Sequence, residues 1–448
     1  MLAAMPDSAP SPLSAGGVSP RAGGAARATP RDGGAARATP RAGGDACPGT
    51  LRLHRADDGA LARVRVPGGL LSADQADALL LAAERLGDGE LHLTSRGNVQ
   101  LRGLGTECGG ELAGLLTDAG LLPSAAHERA RNIVASPLAG LDGSPSIRSW
   151  LTELDLLVCD SGAAATLSGR FLFALDDGRG DVDALGADVT LIAEGPSGAA
   201  LLRIGAADEV FRVPVADAPR AALRAAEEFL RAARDSGAWR VKDLPDDVRA
   251  ELVRTIGQAS GPSVPRPRPR TATPPAPGPH GSAITADVPL GRLTPAQWRL
   301  LTETAGRYGG ELRLTPWRGI VIPGPVPRPE AAEALRTLSA SGLITAPDSP
   351  WTGVGACIGH PGCAKSLSDV RTEAGAAVGV PGRLPVYWSG CERRCGHPHG
   401  EWIDVIATPD GHRISHVRGE HRDPPATATA TVGNDPARLA AAVAEARA

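Results

Sequence analysis

Four cysteines in the C-terminal part of the chain are spaced like the ligands of a metal centre. Five residues separate Cys357 from Cys363, and three separate Cys391 from Cys395. Thiolates bind zinc or iron, and structural zinc sites usually have two residues between the members of a pair. Longer loops suit the four corners of a [4Fe–4S] cube. The spacing therefore favours a cluster over zinc, and either metal over four inert thiols.

The composition of the whole chain narrows the class of protein. The 448 residues carry a formal net charge of −3, which argues against a dedicated nucleic-acid binder. No apolar run approaches the roughly 20 residues that span a bilayer, and the N-terminus lacks the pattern of a secretory signal. We therefore expect a cytoplasmic protein without a membrane or nucleic-acid partner. In that compartment Cys47, Cys108 and Cys159 are expected to be structural thiols rather than parts of disulfides.

Composition also divides the chain into two folded halves. Residues 1–46 are an Ala/Gly/Pro/Arg-rich repeat that buries too little apolar surface to fold, so we predict a disordered tail. Residues 259–283 are rich in proline, which removes backbone donors, so we predict an extended linker. Within the halves, the predicted segments are 47–130, 131–258, 284–350 and 351–448.

The two halves resemble each other. Residues 64–104 and 286–325 share a strand, a turn, an N-capping Ser72 or Thr294, a helix, and a Gly-Glu-Leu-x-Leu-Thr strand. An Arg-Gly turn follows in both, with a one-residue slip at Trp317. The shared order over about 40 residues favours a true repeat. Strands and helices alternate through both halves, which predicts the α+β class.

Three further motifs make the chain similar to the sulfite and nitrite reductase haemoprotein family. They are Leu-Thr-x-Arg-x-x-x-Gln at residues 93–100, Arg-Asn at 131–132, and Arg-x-Pro-Gly-Gly at 65–69. With the cysteine pattern, the resemblance covers residues 47–448. It implies a pseudo-two-fold repeat of ferredoxin-like half-domains (47–130 and 284–350). It also implies two nitrite/sulfite reductase-type domains (131–258 and 351–448), the second binding a [4Fe–4S] cluster through the four cysteines.

The resemblance also implies an anionic tetrapyrrole as the bound substrate or cofactor. Its carboxylates would pair with arginines, which bind them in a bidentate manner. The side chains at the corresponding motif positions are Arg65, Arg96, Gln100, Arg102, Arg131, Asn132 and Arg170.

Within the family, the chain looks most like an oxygen-dependent branch. The reductases have an Arg-Lys-Phe-Lys motif whose lysines protonate departing oxygens, whereas this chain has Arg170 and Leu172 at those two lysine positions. Leucine donates no proton, and the guanidinium gives one up too reluctantly. The branch implies a monooxygenase that hydroxylates precorrin-3A at C20 and closes a γ-lactone in aerobic cobalamin biosynthesis. Its partners would be precorrin-3A, O2 and an external electron donor (NADH via a reductase, or a ferredoxin).

The branch resemblance further implies a non-haem iron in addition to the cluster. Its candidate ligands, none of them assigned, are His360, His397, His399, Glu392 and Glu401. Because one chain supplies both halves of the repeat, we expect a monomer. Two alternatives stay open: a siroheme-dependent sulfite or nitrite reductase, and a non-catalytic scaffold that has kept the metal site.

Overall fold

The computed structural model describes most of the chain after the N-terminal region. The described residues are 47–195, 199–267, 270–271, 273–324, 328–379, 382–398, 400–418, 427–433 and 435–448. The tail predicted at residues 1–46 therefore lies outside the described residues.

The first half of the chain forms two groups of elements. The first group is β1 (His54–Ala56), β2 (Gly59–Val64), β3 (Leu70–Ser72), α1 (Ala73–Leu86), β4 (Leu91–Leu93), β5 (Val99–Leu104) and α2 (Gly109–Asp118). The second group is β6 (Ile133–Ala135), α3 (Arg148–Asp160), β7 (Phe173–Asp176), β8 (Val189–Glu194), β9 (Ala199–Ile204), β10 (Glu209–Pro214), α4 (Ala218–Ala232) and α5 (Asp246–Gln258).

The second half repeats this arrangement. It follows β11 (Ser263–Pro265), which joins the sheet of the first half beside β10. Its first group is β12 (Gly278–His280), β13 (Ala283–Asp287), β14 (Arg292–Leu293), α6 (Pro295–Gly306), β15 (Glu311–Leu314), β16 (Gly319–Pro323) and α7 (Arg328–Ala340). Its second group is β17 (Val354–Ala356), α8 (Val370–Ala376), β18 (Val386–Ser389), β19 (Trp402–Thr408), β20 (Gly411–Val417), β21 (Thr427–Val432) and α9 (Pro436–Arg447).

Four sheets follow from these elements and confirm the predicted α+β class. Two are antiparallel, with strand orders β1-β2-β5-β4-β14 and β12-β13-β16-β15-β3. The other two are mixed, with orders β11-β10-β9-β8-β7-β6 and β17-β18-β19-β20-β21. In each mixed sheet the first three strands of the repeat (β6 to β8, β17 to β19) run parallel and the next is antiparallel.

The two half-domains exchange one short strand each. Leu71 of β3 lies opposite Leu312 of β15, and Leu293 of β14 lies opposite Leu91 of β4. Apolar side chains from both half-domains therefore share one core. The indole of Trp298 also donates a hydrogen bond across this boundary. Because each sheet is completed by the other half-domain, neither half-domain is closed on its own.

The predicted N-caps explain where the equivalent helices α1 and α6 begin. Ser72 accepts a hydrogen bond from the backbone of Gln75, whose side chain bonds back to Ser72. Thr294 and Gln297 repeat this reciprocal capping box at the start of α6. Both helices then place apolar side chains into the shared core.

The segment predicted as a linker at residues 259–283 contains regular structure, which corrects that prediction. Residues Ser263–Pro265 form an outer strand against β10, and Gly278–His280 form an outer strand against β13. Proline is compatible with an outer strand because its missing N–H can face away from the sheet. Proline content alone therefore overestimated the irregular stretch.

Within the described residues, the longest helices are too short and too polar to traverse a lipid bilayer.

Candidate functional site

The four cysteines converge because two neighbouring parallel strands end beside each other. Cys357 directly follows β17, and Cys391 follows β18 after Gly390. These strands pair in parallel, so their carboxyl ends meet at one edge of the sheet. The loops after these strands also carry Cys363 and Cys395, and all four side chains are free thiols.

The separation of the sulfurs favours a cluster over a single zinc ion. Among the four described cysteines, no three sulfurs lie within 4.8 Å of one another. A zinc ion at its usual Zn–S distance of about 2.3 Å would hold the sulfurs roughly 3.8 Å apart. The corners of a [4Fe–4S] cube are wider apart, because each thiolate binds a different iron. The described thiols therefore do not form a ready zinc site, whereas four thiolates at one edge of the sheet could hold a [4Fe–4S] cluster.

The backbone around Cys357 is arranged to meet a thiolate. The N–H of Gly390 donates to Sγ of Cys357 at 3.2 Å. Burial raises the pKa of the Cys357 thiol, and the nearby sulfurs of Cys391 and Cys363 raise it further. Metal binding would replace the protons that these groups retain when free. A side chain at Gly390 would place its Cβ 1.7 Å from the hydroxyl of Ser366, so this close approach requires glycine.

A buried ion pair of the first half-domain holds the loop of Cys363. Arg102 is 3% exposed and binds both carboxylate oxygens of Asp58 at 2.7 Å. It also donates to the carbonyl of Gly362 at 2.9 Å. The backbone N–H of Ala364 donates to the carboxylate of the neighbouring Asp57. Arg102 was predicted to bind substrate; its Nε and Nη2 position the cysteine loop, and the binding role stays a prediction.

Two side chains hold the turn after Cys395. The hydroxyl of Tyr387 donates to the carbonyl of Cys395 at 2.5 Å, and burial raises the pKa of Tyr387 to about 12. Arg318 donates to the carbonyl of Gly396 at 2.9 Å. Arg318 has a φ of 64°, a conformation that costs energy for a residue with a side chain. The second half-domain therefore contacts the turn of the fourth cysteine directly.

The first half-domain presents an arginine cluster, formed by Arg63, Arg65 and Arg96. Arg65 donates to the carbonyl of Gly169 at 3.4 Å, and Arg96 donates to the same carbonyl at 3.3 Å. Arg96 also donates to the carbonyl of Arg170 at 3.2 Å. The cluster thus lies against the turn that carries the Gly-Arg-Phe-Leu motif.

The charge of the arginine cluster is not balanced by hydrogen-bonded carboxylates. Burial, and then the charges of neighbouring arginines, lower the pKa of Arg65 to about 9. Burial lowers the pKa of Arg96 to about 10, with further lowering by Arg240 and Arg63. Nε of Arg63 and both Nε and Nη1 of Arg65 are buried without a hydrogen-bond partner in the described structure. Such donors fit an anionic ligand, because a carboxylate would satisfy them and match the charge.

Two predicted substrate residues instead form structural contacts. Arg131 binds both carboxylate oxygens of Asp155, at 2.8 and 2.7 Å, and donates to the carbonyl of Leu121. The amide of Asn132 is fully buried and donates to the carbonyl of Phe171 at 2.8 Å. Both side chains thus have partners inside the protein, while Arg131 also lines a small pocket with Arg63 and Arg65, and their binding role stays a prediction.

The remaining predicted residues lie at the edges of the arginine cluster. Gln100 of β5 is the register partner of Arg63 on β2, so the two side chains lie on the same face of the sheet. The guanidinium of Arg170 stacks over the ring of Trp239, 4.4 Å from its centroid. Leu172 is buried in an apolar cluster that Trp317 covers, which leaves this position without a proton donor.

The structure does not gather the candidate ligands of a non-haem iron. Exposed His397 stacks on Trp402, and its Nδ1 contacts a backbone carbonyl. Glu392 pairs with Arg413, and Glu401 with His416. His399 lies outside the described residues. None of the described candidates, including His360, belongs to a group of three potential ligands within 4.8 Å.

Two such groups do occur among the described residues, at Asp88, Glu90 and His92 and at Asp176, Asp177 and Asp181. Nδ1 of His92 lies 3.4 Å from a donor nitrogen of Arg371, so it accepts that proton and the ring's own hydrogen is on Nε2. His92 therefore does not offer Nε2 as a ligand in this state.

Sequence reasoning missed several residues of the site. Arg63 lies on β2, two residues before the motif residue Arg65, and no motif includes it. Three further side chains bind backbone carbonyls of the cysteine loops, namely Tyr387, Arg371 and Arg318. The fold brings them there, and no local sequence motif identifies them. The sequence did offer one signal for Arg318. It follows Trp317, where the two repeats differ by one residue, and the backbone there adopts a positive φ.

Comparison with known proteins agrees with this architecture. A model of the nitrite/sulfite reductase ferredoxin-like half domain matches residues 53–108 and 275–339. A precorrin-3B synthase from Sinorhizobium sp is 29% identical over 389 residues, which are 82% of this chain and 82% of that protein. A ferredoxin–nitrite reductase from Synechococcus elongatus is 27% identical, over 80% of this chain and 78% of that protein.

A solved structure shares the fold. The Mycobacterium tuberculosis NirA protein matches with a TM-score of 0.68 at 21% identity, over 84% of this chain and 78% of that chain. The two half-domain matches coincide with the two strand-exchanged halves of the repeat. The chain therefore contains two segments that are similar to the nitrite/sulfite reductase ferredoxin-like half domain, and it shares its fold with the NirA protein.

Proposed function

We propose that this protein is an oxidoreductase of the precorrin-3B synthase type. It would use O2 to hydroxylate precorrin-3A at C20 and close a γ-lactone with a ring acetate. One oxygen atom of O2 enters the product, and the other leaves as water with two electrons and two protons from an external donor. A [4Fe–4S] cluster held by Cys357, Cys363, Cys391 and Cys395 would supply single-electron transfer.

The observation that carries the proposal is the buried arginine cluster, for which no hydrogen bond to a carboxylate is described. Arg63 and Arg65 have buried donors without a hydrogen-bond partner in the described structure. Arg65 and Arg96 donate to carbonyls of the Gly169–Arg170 turn. A substrate with many carboxylates would satisfy those donors and repay the cost of burying their charge. Arg63, Arg65 and Arg96 are thus proposed to bind and orient carboxylates of the macrocycle, with Gln100 beside them.

The turn after the cluster supports an oxygen-dependent reaction over a six-electron reduction. The reductases of the resembled family protonate departing oxygens through two lysines in this motif. Here one position has Leu172, which is 3% exposed within an apolar cluster. The other has Arg170, which stacks on Trp239. Neither side chain is a ready proton source. The relative named precorrin-3B synthase, at 29% identity, also supports this assignment.

A siroheme-dependent sulfite or nitrite reductase is the second candidate. It is favoured by the similarity to ferredoxin–nitrite reductases and by the exposed Cys395, whose turn is held by Tyr387. The two candidates differ in one visible property. A siroheme enzyme contains an intense haem absorption band, whereas an enzyme with only an iron–sulfur cluster shows weaker, broad absorption.

The test is a visible spectrum with iron, sulfide and zinc analysis of protein purified without oxygen. The proposal predicts iron and acid-labile sulfide in equal amounts, no zinc and no haem band. An activity assay with nitrite and sulfite as alternative substrates should then give no reduction. Extractable siroheme together with nitrite or sulfite reduction would instead establish the second candidate.

A further inference from the structure

Two arginines bind the backbone of the cysteine loops from neighbouring elements. Arg371 lies on α8, and its Nε donates to the carbonyl of Cys357 at 3.2 Å. Arg318 lies between β15 and β16, and its Nη2 donates to the carbonyl of Gly396 at 2.9 Å. Gly396 directly follows Cys395. Each guanidinium is therefore held against the backbone at, or next to, a cysteine that is proposed to bind the cluster.

The described partners of both guanidiniums are neutral groups. Apart from Cys357, Arg371 contacts His92, with 3.4 Å between Nη1 and Nδ1. Burial lowers the pKa of His92, so its ring is uncharged at neutral pH. Arg318 also lies over the ring of Tyr387, 5.7 Å from its centroid. Within the described part of the chain, no ion pair or hydrogen bond joins Arg371 or Arg318 to a carboxylate.

A third arginine of these loops differs in this respect. Arg102 donates to the carbonyl of Gly362, but it also binds both carboxylate oxygens of Asp58, which balance its charge. Burial, and then the charge of Arg292, lower the pKa of Arg371 to about 10, so its guanidinium stays protonated at neutral pH. Removing such a cation from water is costly unless an anion lies beside it.

A [4Fe–4S] cluster on four thiolates is such an anion, and its negative charge grows when it accepts an electron. A nearby cation stabilises the more negative state and so raises the reduction potential. We propose that Arg371 and Arg318 are counter-charges of the cluster and set its reduction potential, in addition to holding the loops. This inference rests on the cluster in the proposed function, and it does not depend on the oxygenase reaction.

The consequence concerns the external electron donor. A cluster whose reduced state is stabilised can be reduced by a weaker reductant. For one electron, each factor of ten in the reduction equilibrium corresponds to about 59 mV. The two arginines would therefore let the cluster accept electrons from donors that are too weak to reduce it when these charges are removed.

The test is an anaerobic redox titration of the full-length, cluster-loaded protein, followed by visible absorption and by electron paramagnetic resonance of the reduced cluster. Arg371→Gln keeps a hydrogen-bond donor and removes the charge. We expect its reduction equilibrium constant to fall at least about tenfold, which is a potential lower by about 59 mV. Arg318→Gln should lower the potential in the same direction. Arg371→Lys keeps the charge and should stay close to the wild-type potential.

Arg447→Gln is the matched control. Arg447 is 5% exposed and also donates to backbone carbonyls, those of Leu384 and Thr352. These two residues precede β18 and β17, so they lie at the opposite ends of the strands from the cysteines. The charge of Arg447 is thus a strand length away from the cysteine loops, and its removal should leave the potential at the wild-type value.

The outcomes separate this inference from the cluster assignment. Wild-type potentials in both Arg371→Gln and Arg318→Gln, with full iron and sulfide content, would overturn the inference and leave the cluster in place. An equal fall in Arg447→Gln would contradict it, because the effect would not depend on position. An equal fall in Arg371→Lys would contradict it as well, because shape rather than charge would be the cause. Wild-type protein without iron and sulfide would refute the cluster and this inference together.

Discussion

Replacing Arg65 by methionine should make the ligand-free protein more stable. Arg65 is 4% exposed, and burial lowers the pKa of its guanidinium to about 9. The only hydrogen bond described for its side chain goes to the carbonyl of Gly169 at 3.4 Å. Methionine keeps most of the apolar packing and removes the charge, which is the unfavourable contribution in the absence of a ligand.

The size of the effect follows from the lowered pKa. Each pH unit by which a pKa falls corresponds to about 1.36 kcal/mol, so the buried charge of Arg65 costs on the order of 5 kcal/mol. The lost hydrogen bond returns about 1 kcal/mol. We therefore expect Arg65→Met to stabilise the ligand-free protein by roughly 4 kcal/mol, with Arg63 and Arg96 relieved of a like charge.

The lowered pKa of Arg65 also predicts in which direction the stability of the folded protein changes with pH. The pKa of Arg65 is lower in the folded protein than in the unfolded chain, so above about pH 9 the unfolded state binds more protons. Wild-type stability should therefore rise as the pH increases from about 9, and below that pH the full cost is present. Arg65→Met should lack the part of this rise that Arg65 contributes.

The assay is thermal unfolding with and without a polycarboxylate such as citrate. Citrate should raise the melting temperature of wild type and have less effect on Arg65→Met. Arg131→Met is the matched control, since Arg131 is 4% exposed but paired with Asp155. Breaking that buried pair should destabilise the protein by about 3 kcal/mol. The reasoning fails if Arg65→Met melts below wild type, or if both variants shift in the same direction.

Three further predictions concern the metal loop and the fold. Cys391→Ala should lose the iron and sulfide of the cluster while Cys159→Ala keeps them, as measured by metal and sulfide analysis; full retention in Cys391→Ala would remove it from the ligand set. Arg102→Met leaves Asp58 without its ion pair, so iron content should fall and melting should occur at a lower temperature. Ser72→Ala should cost about 1 kcal/mol in chemical unfolding, because it removes the N-cap of α1; an unchanged midpoint would contradict the importance of the capping box.

Local sequence patterns predicted much of the fold. The capping boxes at Ser72 and Thr294 and the repeated Gly-Glu-Leu-x-Leu-Thr strands identified equivalent elements correctly. The exchange of β3 and β14 between half-domains was not predicted, because strand pairing over long separations leaves no local signal. The strands in the proline-rich segment were not predicted because proline was taken to exclude a strand. An outer strand needs backbone donors only on the side that faces its neighbour, so it tolerates proline on the other side.

The site was predicted less completely than the fold. The cysteine spacing identified the metal loops, but side-chain charge alone could not separate paired from unpaired arginines. Arg65 has no described hydrogen bond to a carboxylate, whereas Arg131, which precedes β6, is bound by Asp155 of helix α3. Whether an arginine is available to a ligand depends on such tertiary contacts.

The most direct test of the account is incubation of the metal-loaded protein with precorrin-3A, a reductant and ¹⁸O2. Mass spectrometry of the tetrapyrrole reports the outcome. The account predicts a product heavier by one oxygen atom that carries the ¹⁸O label, and loss of that product in Arg96→Met. An unchanged macrocycle, together with reduction of nitrite or sulfite by the same preparation, would contradict it.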